Sequence, residues 1–289
     1  MQNKGKITAQ PFYEGRVTFG EACPRPDSID APHFPGAFPT SDLVALFLFL
    51  FSLLLNLFSK IKVSISSSFG LALCIAIFLS WRLSIDGKEL CTAMNTTIKY
   101  YNDNARKFCA DTLSVSMAEH YARFEDHLRP GARILDAGCG SGRDASYFKG
   151  KGYQVEAFDA SEEMVQYSSA WTGVAVRQAT FLDFQASGRF DAIWACASLL
   201  HIGRPEITLA LQRLVDSLQI GGVMYMSFKY GNEEYAKEGR LFNCYDEASF
   251  TDLIAKFSSL SILELYKSAD ARIDRSGEFW LNALVKKQN

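Results

Sequence analysis

The stretch Ile134-Leu-Asp-Ala-Gly-Cys-Gly-Ser-Gly-Arg-Asp144 decides the fold. The apolar run from Arg133 to Ala137 reads as a strand, the spacing Asp-x-Gly-x-Gly-x-Gly follows at once, and the residues after Gly142 open a helix. Gly138, Gly140 and Gly142 permit a tight turn and let a ligand lie against the main chain near a helix N-terminus. A dinucleotide loop would read G-x-G-x-x-G, so nicotinamide or flavin binding is the less favoured reading.

Short apolar runs continue downstream at residues 154–158, 174–177, 192–195 and 223–228, with amphipathic stretches between the first several. That alternation predicts a doubly wound α/β domain whose parallel sheet is covered on both faces. The runs at 261–266 and 279–285 follow each other without a long helical interval and predict a closing antiparallel pair. Asp159 ends the second strand, where a carboxylate can accept both ribose hydroxyls. Asp183 follows the third strand, where it could accept an adenine amine or serve only as a turn residue. Glycines and acids then share the sheet edge where open α/β sheets bind ligands.

These residues, together with Phe158-Asp-Ala-Ser161, Phe190-Asp-Ala-Ile-Trp-Ala195, Leu218-Gln-Ile-Gly-Gly-Val223 and Tyr101-Asn-x-x-Ala-x-x-Phe108, resemble the class I S-adenosylmethionine-dependent methyltransferases over nearly all of 95–289. Trp194-Ala-Cys-Ala-Ser-Leu-Leu-His201 and Phe228-Lys-Tyr-Gly231 resemble small bacterial members related to the tellurite-resistance methyltransferases. The resemblance implies a Rossmann-like sheet of seven strands, the seventh antiparallel, and transfer of a sulfonium methyl group to a small-molecule acceptor. It implies a cofactor set of Asp136, Gly138, Cys139, Gly140, Gly142, Asp159, Ala160, Met164, Asp183, Phe184 and Ala195. A non-catalytic sensor of S-adenosylmethionine or S-adenosylhomocysteine, coupled to a membrane segment, is the alternative.

His201 follows the fourth strand, where methyltransferases place the acceptor, and a histidine there suits removal of a proton from oxygen or nitrogen. Tyr101 is the other expected catalytic side chain, its ring face attractive to a sulfonium. Lys229, Tyr230, Arg240, Asp270 and Arg272 could line a pocket for an anionic acceptor, although solvated surface charge is the commoner role. Trp194 and Trp280 read as sheet packing, and Cys139 and Cys196 as small buried residues.

The remainder of the chain is unlike this unit. Residues 1–41 hold six of the eight prolines and read as a disordered tail. Residues 42–93 carry two uncharged apolar runs, 43–58 and 63–81, separated by Lys60 and Lys62. They read either as a membrane anchor within 42–81 for a cytoplasmic catalytic domain, or as translated upstream sequence that the natural protein lacks, the domain starting at Met94. A net charge of -2 lacks the basic excess of a nucleic-acid binder, so no nucleic-acid partner is expected. Seven scattered cysteines without a C-x-x-C pair predict neither a disulfide framework nor a metal site. The sequence carries no signal of oligomeric state.

Overall fold

The computed structural model describes residues 94–289 except Ile273, Asp274 and Ser276. The proline-rich tail and both apolar runs lie outside the described residues. Among the described residues, no helix is long and apolar enough to cross a membrane.

The chain is helical over 94–112 (α1) and Ala118–Glu125 (α2) before entering the sheet. Strand β1 (Arg133–Ala137) leads through the glycine loop into α3 (Arg143–Gly150), and β2 (Gln154–Asp159) leads into α4 (Glu162–Thr172). Then come β3 (Ala175–Gln178), β4 (Phe190–Ala195), a 3-10 turn at Leu199–His201, α5 (Ile207–Ser217) and β5 (Leu218–Lys229). A separate hairpin, β6 (Glu234–Lys237) and β7 (Arg240–Asn243), precedes α6 (Glu247–Ile254), β8 (Leu260–Ala269) and β9 (Phe279–Lys287).

The seven main strands lie in the order β3-β2-β1-β4-β5-β9-β8. The first five pair in parallel, and β9 runs antiparallel between β5 and β8, as the resemblance implies. Alternate strand residues serve opposite faces. Leu135, Ile193, Met224 and Ala283 face the helical residues Leu211, Leu214 and Phe250, whereas Ile134, Trp194 and Tyr225 face Phe124 and Phe148. Trp194 is indeed sheet packing: it is fully buried and stacks on Tyr225 with ring centroids 4.0 Å apart.

Two local differences from the sequence reading bear on the site. No helix joins β3 to β4. There the Thr180 hydroxyl accepts the Leu182 and Asp183 N–H groups, and the Phe181 and Phe184 side chains are buried, so a compact turn replaces the crossover helix. The β6/β7 hairpin was not expected either. Glu238 (φ 53°) and Gly239 (φ 76°) form its two-residue loop, and two successive left-handed residues give the twist that matches paired strands.

Candidate functional site

The loops after β1, β2, β3, β4 and β5 surround a cavity of about 840 Å³. Helix α1 and the β6/β7 hairpin roof it. The α1 face is set by helical spacing: Thr97, Tyr101, Phe108 and Thr112 all line the cavity. The roof is tied together through the main chain of Leu241, whose N–H donates to Thr97 Oγ1 at 3.1 Å and whose carbonyl accepts from His201 Nδ1 at 2.6 Å.

On one side lies the glycine loop. All three glycines have positive φ, 74° at Gly138, 51° at Gly140 and 75° at Gly142, but they serve different ends. A Cβ at Gly138 would stand 2.5 Å from Ser198 Cβ, and one at Gly142 would stand 2.8 Å from Ser168 Cβ, so both are needed for packing of the loop. A Cβ at Gly140 would meet only the Phe108 ring, at 3.4 Å, and so would intrude toward the cavity. Asp159 fixes that turn: its Oδ2 accepts the Gly140 N–H at 2.8 Å and its Oδ1 accepts the Ser161 N–H at 2.9 Å. Burial raises its pKa above the ordinary carboxylate range, while these N–H groups oppose the rise. Ser161 in turn caps α4, its hydroxyl accepting the Met164 N–H, so the cap role belongs to Ser161 and the Asp159 carboxylate braces the loop.

The remaining expected cofactor residues fall into two groups. Cys139 and Ala160 line the cavity, beside Phe158 and Phe181, which were not among the expected residues. Asp136, Met164, Phe184 and Ala195 are buried behind its wall, Phe184 stacked on Phe158 at 4.5 Å. Asp136 is 2% exposed, and its Oδ2 has no hydrogen-bond partner. Burial and then the Asp144 charge push its pKa well up, against the Arg143 charge and the Ala145 N–H at the start of α3. Asp183 is exposed and accepts the Thr180 hydroxyl at 2.7 Å, two positions beyond the Ala179–Phe181 wall.

Beneath the loop, Asp144 collects a polar network that the sequence reading missed. It accepts from Arg143 Nε at 2.6 Å and Nη2 at 2.9 Å, from Trp194 Nε1 at 2.8 Å and from the Tyr121 hydroxyl. Despite burial, these donors hold Asp144 below its ordinary pKa. Such a buried charge pair is locked because removal of either member strands the other.

On the opposite side, Tyr101 and His201 meet. The Tyr101 hydroxyl lies 2.8 Å from His201 Nε2. Because the Leu241 carbonyl can only accept, His201 carries its proton on Nδ1, and Tyr101 therefore donates to Nε2. Burial lowers the His201 pKa to about 4, so the ring is neutral near pH 7, and burial lifts Tyr101 to about 12. Lys229, Tyr230, Arg240, Asp270, Arg272 and Trp280 also line this side, Trp280 donating to Asp270 at 3.0 Å. Ala197, after β4, is a non-glycine residue at φ 50°, held by a bond from its N–H to Ser227 Oγ at 2.8 Å. That strained position was not legible from an alanine in a sequence.

The cavity thus combines a bare, braced loop with the hydrogen-bonded Tyr101–His201 pair across the sheet edge. Residues 134–222 match the methyltransferase domain family, and together with the fold this supports a class I S-adenosylmethionine-dependent methyltransferase. Among curated proteins it is similar to the ubiquinone biosynthesis O-methyltransferase of Xanthomonas campestris pv. campestris, 34% identical over 105 residues, which are 34% of this chain and 43% of the relative. The chain therefore spans less than half the length of the curated relatives of that kind. Among solved structures it is similar to the 1,6-didemethyltoxoflavin-N1-methyltransferase of Burkholderia thailandensis, which holds 1,6-didemethyltoxoflavin and S-adenosylhomocysteine, with a TM-score of 0.58, 20% identity, and coverage of 70% of this chain and 90% of that one. An S-adenosylmethionine-dependent methyltransferase from Methanosarcina mazei gives a TM-score of 0.52 at 14% identity, over 58% and 98% of the two chains. At these identities the structural likeness concerns the fold.

Proposed function

We propose that this domain moves the methyl group of S-adenosylmethionine to an oxygen or nitrogen of a small organic acceptor. The observation that carries this reading is the left-handed Gly140 turn, held against the cavity by Asp159 at 2.8 Å. The residues fit the donor on two counts. The space at Gly140 is one that a side chain would fill, and the Asp159 oxygens, which accept the Gly140 and Ser161 N–H groups, retain lone pairs for ribose hydroxyls. Phe158, Ala160 and Phe181 supply the apolar wall for a purine. S-adenosylmethionine, when bound, supplies an electrophilic methyl group, so the protein has to align the acceptor and exclude water.

Tyr101 and His201 are assigned the proton. The neutral His201 keeps an Nε2 lone pair, already engaged by the Tyr101 hydroxyl. As the acceptor's O–H or N–H bond breaks, its proton passes to Tyr101 Oη while the Tyr101 proton passes to His201 Nε2. One proton is thereby lost from the acceptor and one gained by the imidazole, to be released to solvent with the product. Roof residues on α1 and the hairpin keep water from that step. The near-neutral net charge supports a small molecule, and not nucleic acid, as acceptor.

The test is incubation of the full chain with S-adenosylmethionine and a library of small hydroxyl and amine compounds, reading S-adenosylhomocysteine. Its acceptor-dependent accumulation is expected. Saturable donor binding with no turnover for any acceptor would favour a sensor instead.

A further inference from the structure

Three cations on the cavity wall have their charge met from within. Arg143 is held by Asp144, Lys229 by Asp270 and Glu278, and Arg272 by Asp270 at 2.7 Å. Arg240 is arranged differently. Its side chain is only 13% exposed, yet the carboxylate that pairs with it is Glu238, two residues away in the hairpin turn and 59% exposed. An ion pair that open to water contributes little. The guanidinium lies over the Tyr100 ring at 4.1 Å and within 5.3 Å of Phe242, and its Nε is buried with no hydrogen-bond partner. A buried charged donor without a partner is costly, and a ligand is one way to satisfy it.

Arg240 shares its chamber with the proton-handling pair. Its positive charge adds to the lowering of the His201 pKa and opposes the burial that lifts Tyr101, so it favours negative charge there. The neighbouring wall is made of ring faces, Tyr101, Tyr235 and Phe242, with Tyr235 and Phe242 stacked at 5.3 Å. Flat aromatic walls suit a flat ligand, and a guanidinium fork suits a planar anion.

The geometry points to an aromatic acid as the acceptor, its carboxylate or equivalent anionic group held by Arg240 while the atom to be methylated faces Tyr101. This assignment rests on the methyl-transfer reading. Arg240 selects the acceptor and contacts Glu238, Tyr100 and Phe242, none of them in the glycine loop, so its loss should leave the donor's place intact.

The experiment uses the full chain with S-adenosylhomocysteine. Donor affinity is measured first by calorimetry. Benzoate and 2-hydroxybenzoate are then titrated against benzamide and 2-hydroxybenzamide by ligand-observed NMR. At least one acid is expected to bind about tenfold tighter than its amide, the loss associated with one charge-assisted hydrogen bond. Arg240→Gln should bring that ratio to about one and Arg240→Lys should leave it partly reduced, both with wild-type melting curves and unchanged S-adenosylhomocysteine affinity. Glu238→Gln, which removes the competing carboxylate, should increase the ratio. Acids that bind no better than amides, binding of neither, or an acid preference that survives Arg240→Gln would overturn the assignment. Absence of donor binding with a retained, Arg240-dependent acid preference would instead overturn the methyl-transfer reading alone.

Discussion

The Tyr101 hydroxyl donates to Nε2 of His201 at 2.8 Å, across one hundred residues of chain. Helix α1 supplies one partner and the turn after β4 the other, so the pair exists only when α1 closes over the sheet edge. Tyr101→Phe and His201→Ala should each lower kcat about a hundredfold with little change in donor affinity, and the double variant should be scarcely worse than either. Additive losses in single-turnover assays would show that the two side chains act separately.

His201 also makes stability depend on pH. Burial lowers its pKa from 6.5 to about 4, so between these values the unfolded chain takes up a proton that the folded chain refuses. The stabilisation from a neutral His201 is complete above pH 6.5 and is lost as the pH falls toward 4, on the order of 3 kcal/mol. Urea midpoints measured at neutral and mildly acidic pH should therefore fall further for the wild type than for His201→Asn. Equal falls would remove the histidine as the cause.

The glycines separate packing from binding. Gly138→Ala puts a Cβ 2.5 Å from Ser198 Cβ at φ 74° and should cost about 2 kcal/mol of stability, read as a lowered melting temperature. Gly140→Ala meets a ring at 3.4 Å, so it should melt closer to the wild type while losing calorimetric affinity for S-adenosylhomocysteine. The reverse pattern would contradict the division of roles.

Asp159→Asn replaces an oxygen that accepts N–H by an amide or a less negative carbonyl. The Gly140 and Ser161 N–H groups lose a charged acceptor, and affinity for S-adenosylhomocysteine should fall by at least about tenfold, or roughly 1.5–3 kcal/mol. Unchanged affinity in calorimetry would detach Asp159 from the donor.

Asp144→Asn leaves the half-buried Arg143 without its charge partner, in a network that also holds Tyr121 and Trp194. A loss of about 3 kcal/mol is expected in denaturant unfolding. A loss under 1 kcal/mol would mean that water reaches Arg143 readily.

What was legible in the sequence was local. The glycine turn, the acid ending β2 and the Ser161 cap each depend on a few adjacent residues, and β1 spans Arg133–Ala137 as its apolar run predicts. The succession of strands along the chain followed from alternation, while their edges did not: β5 begins at Leu218, ahead of the apolar run that starts at Val223. The hairpin escaped because every β6 residue is exposed and shows no apolar alternation, leaving Glu238-Gly239 as its one signal. The contact of Tyr101 with His201 and the network on Asp144 depend on tertiary closure, which spacing along the chain does not encode.

The fastening of the roof separates two kinds of change open to a lineage. Leu241 is held on both sides through main-chain atoms, by Thr97 and by His201, and these attachments are blind to the identity of the hairpin's side chains. The hairpin also forms its own sheet, so no register of the seven strands depends on it. On the proposed assignment, substitutions at Tyr235, Arg240 or Phe242 redirect which compound is accepted while the machinery that grips the donor is inherited untouched.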